Sequence, residues 1–273
     1  MTINLDVLIT TPEDYVDMKA GLDTLQGLSD GVRCISESIL TGEVPKRMSH
    51  KDKIRTSLKR NFKGSYGQIF SIDVYDDELL KKYKKIGAAP FIELISYFLK
   101  ESVYLDGGDL SSKADKVLEN LGYKSEEIIE QLRTTALENI HQISMKFDHN
   151  VVLRHRKSRE SQIPIAYFDE ETAKSIKPIY GKNVIDLTVG ITRFNIHTGN
   201  GRLQLLDHDE TVSFGFAGKY KEMEFHEKKI FSENLNKNNG ILPQYWEYMK
   251  VSALPVELPG GKIIKYILRK YNE

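Results

Sequence analysis

Glu138-Asn139-Ile140-His141 places a carboxylate and an imidazole three residues apart, so a helix would carry both on one face. Carboxylate-bridged metal sites use that spacing, but they need a second copy and two further glutamates. No second Glu-x-x-His occurs, and the spacing alone reads as a surface helix. His226-Glu227 lacks the second histidine of a zinc-protease helix. His149, Asn150 and His155 hint at a nuclease-like His/Asn group without metal-ligand spacing. Gly64-Ser65-Tyr66-Gly67 falls short of the Gly-x-Ser-x-Gly elbow that exposes a hydrolase serine. Asp106-Gly107-Gly108-Asp109 would hold a cation only if other oxygen ligands converged on it, and otherwise reads as a turn. Neither a Gly-x4-Gly-Lys-Ser/Thr phosphate loop nor a dinucleotide Gly-x-Gly-x-x-Gly is present. Cys34 falls on the apolar side of its helix beside Ile35, which favours burial over nucleophilic use.

Two basic segments offer a different chemistry. Lys46 to Lys63 carries eight Lys or Arg against one Asp, and Arg154, Arg156, Lys157 and Arg159 form a second knot. A lysine-guarded edge strand is the plain account of the first. A ribbon that contacts phosphates, through Lys59, Arg60 and Lys63 together with Arg154 and Arg156, is the sharper one.

The whole chain narrows these readings. Its 273 residues carry 39 Lys+Arg and 39 Asp+Glu, so no overall field drives it toward nucleic acid or an anionic membrane. Any electrostatic footprint must be local. A single cysteine excludes an intramolecular disulfide and fits a reducing compartment. The opening MTINLDVLITTPED lacks the basic-apolar-small succession of a signal peptide, and Ile86–Leu105 is interrupted by Glu93, Lys100 and Glu101. The expectation is a cytoplasmic protein with no membrane contact.

The elements that must position these residues follow from periodicity. Ile3, Leu5, Val7 and Ile9 alternate as in a half-buried strand. Thr11-Pro12 with Asp14 resembles a helix start, and Leu22, Leu25, Val32, Ile35 and Ile39 recur at helical spacing up to a Gly42 stop. Gly21, Gly27 and Gly31 predict close packing or a break there. Ile54–Leu58 and Gln68–Val74 make a basic hairpin. The chain is helical from Asp76 through Ile86, Pro90 restarts a helix carrying Phe91 to Leu99, and helices follow over 111–121 and 125–146. Val151–Leu153 and Ile163–Phe168 read as strands, and Pro178 with Gly181 marks a boundary.

From Val184 to Phe216 three apolar runs alternate with two turn signals, Thr198–Gly201 and Asp207–Glu210. A helix over 225–235 and a hairpin joined by Pro259-Gly260-Gly261 complete five strands with a helix between the third and fourth. That is the order of an OB-like barrel. Val189, Ile191, Leu203, Leu205, Val212 and Phe214 should face its interior. Phe194 should point away from Val189 and Ile191 unless a bulge intervenes. The expected fold class is α+β, a mostly helical domain with a strand hairpin over 1–182 and a five-stranded OB- or SH3-like barrel over 183–273.

Gly190 to Leu203, GITRFNIHTGNGRL, resembles the first hairpin of cold-shock domains through Phe194-Asn195, Gly199, Gly201 and Leu203. The resemblance implies an OB barrel whose outward aromatics stack single-stranded bases. Arg193, Asn200 and Arg202 stand where that family places its stacking aromatics, leaving less base-stacking surface here. The layout of a helical front, a basic hairpin and a terminal barrel also resembles uncharacterised bacterial proteins, some at phage-defence loci, which supplies no residue roles.

These readings converge on a non-enzymatic binding protein without cofactor or metal. The barrel and the basic segments would contact nucleic acid or another protein, with Lys59, Arg60, Lys63, Arg154, Arg156, Arg193, Phe194 and Arg202 as the nucleic-acid contacts. The helical domain would contact a protein partner. A hydrolase or nuclease assembled from scattered Asp, Glu and His residues is the alternative.

Overall fold

Alternation of apolar and polar side chains makes Thr2–Thr10 a strand, β1, with Ile3, Leu5, Val7 and Ile9 all buried. It lies at the centre of a five-stranded antiparallel sheet with β2 (Ile54–Phe62), β3 (Tyr66–Val74), β4 (Asn150–Arg156) and β5 (Gln162–Phe168), in the order β2-β3-β1-β4-β5. The computed structural model describes residues 2–12, 15–47, 49, 52–62, 66–218 and 220–272.

Among the described residues, eight helices accompany this sheet: α1 (Met18–Thr41), α2 (Asp77–Ile86), α3 (Ala88–Ser102), α4 (Ser112–Leu121), α5 (Lys124–Thr135), α6 (Leu137–Ile140), α7 (Gln142–Phe147) and α8 (Glu170–Ala173). One core joins the odd-numbered residues of β1 to Leu28 and Val32 of α1, Phe91 and Phe98 of α3, and Ile128 and Leu132 of α5. The expected helix over 125–146 is three pieces, interrupted at Ala136 and His141. His141 is fully buried there, its Nδ1 2.8 Å from the Leu137 carbonyl and its Nε2 3.1 Å from Thr172 Oγ1.

Helix α1 starts later than the Thr11-Pro12 pair suggests. Asp17 caps it, accepting from the Ala20 amide at 2.8 Å, and the expected partner Asp14 lies outside the described residues. Gly42 ends it in the left-handed region at φ 77°. Gly27 explains the glycines in its middle, because a Cβ there would stand 2.5 Å from the amide nitrogen of Ile140. The expected close packing is therefore α1 against α6.

Two compact units divide between Ile176 and Lys177. The second contains β6 (Ile179–Tyr180), β7 (Ile185–Phe194), β8 (Gly201–Leu205), β9 (Thr211–Phe216), α9 (Phe225–Asn238), β10 (Met249–Glu257) and β11 (Ile263–Asn272). Strands β7, β8, β9, β11 and β10 close into a barrel, because β10 pairs with both β11 and β7. Every pairing in it is antiparallel except β9 with β11, which is parallel. Val189, Ile191, Leu203 and Phe214 are buried inside as expected, and Leu205 and Val212 pack half-buried against them.

The first unit departs from the expected mostly helical domain with one strand hairpin. Its strands read locally as isolated segments, but β1 joins the β2–β3 hairpin to the β4–β5 hairpin into one sheet. Leu5 pairs with His155 and Asp6 with Arg154, partners far apart in the chain.

Candidate nucleic-acid interface

One face of the first sheet packs on the helices, and the opposite face collects polar groups. Asn4 and Asp6 of β1, Ser71 and Asp73 of β3, and Arg154 and Arg156 of β4 share it through the register. Asp6 is fully buried, with Oδ1 held by Arg154 Nε at 2.6 Å and Oδ2 by Arg156 Nη1 at 2.8 Å. A buried carboxylate needs such partners, since uncompensated burial of its charge would cost several kcal/mol. These two arginines are thus first of all anchors of the sheet.

Phe62, the last residue of β2, lies over Gly67, where a Cβ would meet its ring at 2.3 Å. The guanidinium carbons of Arg154 and Arg156 stand 5.6 and 5.5 Å from its centroid. The basic hairpin and the second basic knot therefore meet on this face. Lys59 and Arg60 are exposed at a register shift of β2 between Leu58 and Asn61, and Lys63 lies outside the described residues. Asp73 accepts from Ser57 at 2.6 Å and Ser71 at 3.0 Å. Burial by itself would raise its carboxyl, but the Ser57, Thr2 and Ser71 hydroxyls and the Lys59 charge hold it below the usual range.

In the barrel a register shift between Ile191 and Arg193 decides two side chains. Past it, Arg193 pairs with Arg202, and Phe194 turns inward. Its ring lies 6.2 Å from Phe214, 6.0 Å from Tyr220 and 5.7 Å from Phe231, centroid to centroid. The bulge that would alter its direction is present, and Phe194 belongs to the aromatic core.

Arg202 stays outside. It donates from Nε to Thr211 Oγ1 at 2.9 Å, from Nη2 to the Thr211 carbonyl at 2.8 Å and from Nη1 to Ser213 Oγ at 3.3 Å. Its planar fork is thereby laid across β9. Ser213 in turn pairs with Lys265 of β11. The register so produces a row across four neighbouring strands, Arg193–Arg202–Ser213–Lys265. Lys265 was not among the residues expected from the sequence, because only the parallel β9–β11 pairing brings it there. The Lys265 ammonium also flanks Gly215, where a Cβ would lie 3.4 Å from Nζ and 2.9 Å from Asn200 Oδ1.

Other chemistry-bearing residues take structural places. His141 is buried between α6 and α8, and burial pushes its imidazole below the ordinary value. Cys34 is 1% exposed, and burial pushes its thiol up to about 12. Ser65 lies outside the described residues. Among the described residues, no group of three or more His, Cys, Asp or Glu could hold a metal ion. A cleft of about 420 Å³ on the barrel is lined by Asp186, Thr188, Lys250, Ser252, Lys270 and Tyr271, with Ser252 donating to Asp186 at 2.6 Å.

Comparison of the chain with protein-family models, with curated proteins and with solved structures finds no match. The cold-shock and phage-defence resemblances gain nothing from it. The closed five-stranded barrel is compatible with an OB-like one, and no helix among the described residues is long and apolar enough to cross a membrane.

Proposed function

We propose that this chain is a binding protein whose C-terminal barrel is OB-like and holds nucleic acid through phosphates. The observation that carries the reading is the row Arg193–Arg202–Ser213–Lys265 across the outer face of β7, β8, β9 and β11. The strand order β7-β8-β9-β11-β10, with α9 between the third and fourth strands, is that of OB barrels, whose second and third strands carry oligonucleotides. Here those strands are β8 and β9. Arginine and lysine aligned over them supply the sequence-independent part of binding, which an even overall charge conceals. Lys59 and Arg60, exposed on β2 of the first unit, are candidate phosphate contacts of that unit by itself, while Arg154 and Arg156 chiefly hold Asp6.

Fluorescence anisotropy on labelled oligonucleotides across a salt series tests it. Log affinity should fall with log salt at about −0.7 per neutralised phosphate on a single strand. Replacing Arg193 and Lys265 together by Ala should weaken all sequences alike and flatten that slope by about one to two contacts. Arg202 is left in place because it bonds β9. Lack of binding at low salt, or binding untouched by the double variant, would overturn the reading.

A further inference from the structure

Trp246 is the only tryptophan in the chain, and it rests on the outer face of the barrel. Val189 and Ile191 point inward, so Gly190 between them points out, and a Cβ there would lie 2.7 Å from Trp246 Cε3 and 3.2 Å from Cζ3. The indole lies on bare backbone that any larger residue would fill. Its Nε1 donates to the Ile241 carbonyl at 2.7 Å, and the Tyr248 hydroxyl donates to the Pro243 carbonyl at 3.2 Å. These bonds, with Tyr245 N to Leu242 O at 2.9 Å, pin a one-turn 3-10 helix over Pro243–Tyr245. That pinned turn leaves Leu242 63% and Tyr245 70% exposed.

Packing on Gly190 accounts for Trp246 as a brace. It does not account for an ordered turn that holds Tyr245 in water. The position relative to the basic row suggests what does. Gly190 pairs with Gln204, two residues along β8 from Arg202, so the backbone that Trp246 covers lies about 7 Å along the strands from the row. Aromatic surface next to aligned cations fits a strand whose bases are free to stack while its phosphates lie on the row. A duplex keeps its bases inside and offers the turn only sugar and phosphate.

We propose that the ligand of the barrel is a single strand, with bases stacked on Tyr245 and the outer side of Trp246 and phosphates along Arg193, Arg202 and Lys265. This rests on the nucleic-acid reading above and adds the strand state and the stacking groups.

Trp246 reports on the site by its own fluorescence in the unmodified full chain. The probes are a short oligothymidylate, an abasic oligodeoxynucleotide of the same length, and a duplex, each followed by emission and by anisotropy. Oligothymidylate should quench Trp246 in step with its anisotropy, and the abasic strand should bind about tenfold more weakly with no quenching. Tyr245→Ala, at an exposed position that leaves the indole in place, should weaken oligothymidylate severalfold and leave the abasic strand unchanged. Equal affinity for the two strands, unchanged emission at saturation, or a duplex that quenches equally would overturn the proposal while phosphate binding stands. Tyr245→Ala weakening both strands alike would overturn the role of Tyr245. Failure of all three probes to bind would overturn both readings.

Discussion

Arg154 Nε lies 2.6 Å from Oδ1 of Asp6, a carboxylate with no solvent exposure on the central strand of the first sheet. Arg156 reaches the other oxygen from two residues further along β4, and Phe62 faces both guanidiniums. Three strands are tied at one point, since β1 supplies the acid, β4 the bases and β2 the ring.

Asp6→Asn should therefore leave two guanidiniums with 14–17% exposure facing a neutral amide. The expected loss is about 3–5 kcal/mol, as for a buried pair deprived of one partner. Urea denaturation followed by circular dichroism measures it. Asp6→Leu combined with Arg154→Met and Arg156→Leu should cost less than Asp6→Asn alone, because no uncompensated charge remains. A triple variant weaker than the single one would refute this account.

Phe231 projects from α9 into the barrel with no exposure, within 5.7 Å of Phe194 and Phe214 and 4.9 Å of Phe216 by ring centroids. Phe231→Ala should destabilise the barrel by about 3–5 kcal/mol through lost burial and an unfilled cavity. Two units can unfold separately, so the transition to read is that of Trp246 emission, which belongs to the barrel. A midpoint that does not move would place Phe231 outside the core.

His141 is held neutral by burial, which lowers its pKa despite the opposing pull of the Leu137 carbonyl and Asp169. A base depressed in the folded state binds fewer protons there than in the unfolded chain. Stability from this group is complete above its ordinary value of 6.5 and drains away as pH falls from there toward the folded value. Denaturant midpoints at pH 7.5 and pH 5.5 should differ, and His141→Gln should shrink the difference even though it lowers stability at both. An unchanged pH dependence in the variant would assign the effect to other groups.

Cys34 is packed on the buried side of α1 with its thiol pushed up to about 12, by burial before all else. Little thiolate exists at neutral pH, so a bulky alkylating reagent should label folded protein slowly and urea-unfolded protein at once. Rapid labelling of the folded chain would make Cys34 an exposed nucleophile.

Much of this architecture is legible in local pattern. Alternation marks β1, glycine and proline turns delimit the barrel strands, and the Gly42 stop and buried Cys34 follow from helical spacing, because each depends only on near neighbours in the chain. Strand parity likewise sets Arg202 on the side opposite its buried neighbour Leu203.

What parity cannot settle is where parity breaks and which strands meet. A one-residue shift after Ile191 turns Phe194 into the aromatic core and leaves Arg193 beside Arg202. Trp246 and Lys265 escape local reading altogether. One covers Gly190 from a turn far along the chain, and the other reaches the basic row only through the parallel β9–β11 pairing. Likewise Arg154 and Arg156 read as a free basic knot until Asp6, at the opposite end of the unit, is paired against them. Composition and periodicity determined the strands, helices and their exposed sides, because those are short-range properties of the chain. Which charges are neutralised and which line up was decided by tertiary structure, because Coulombic and stacking partners are chosen by distance in space.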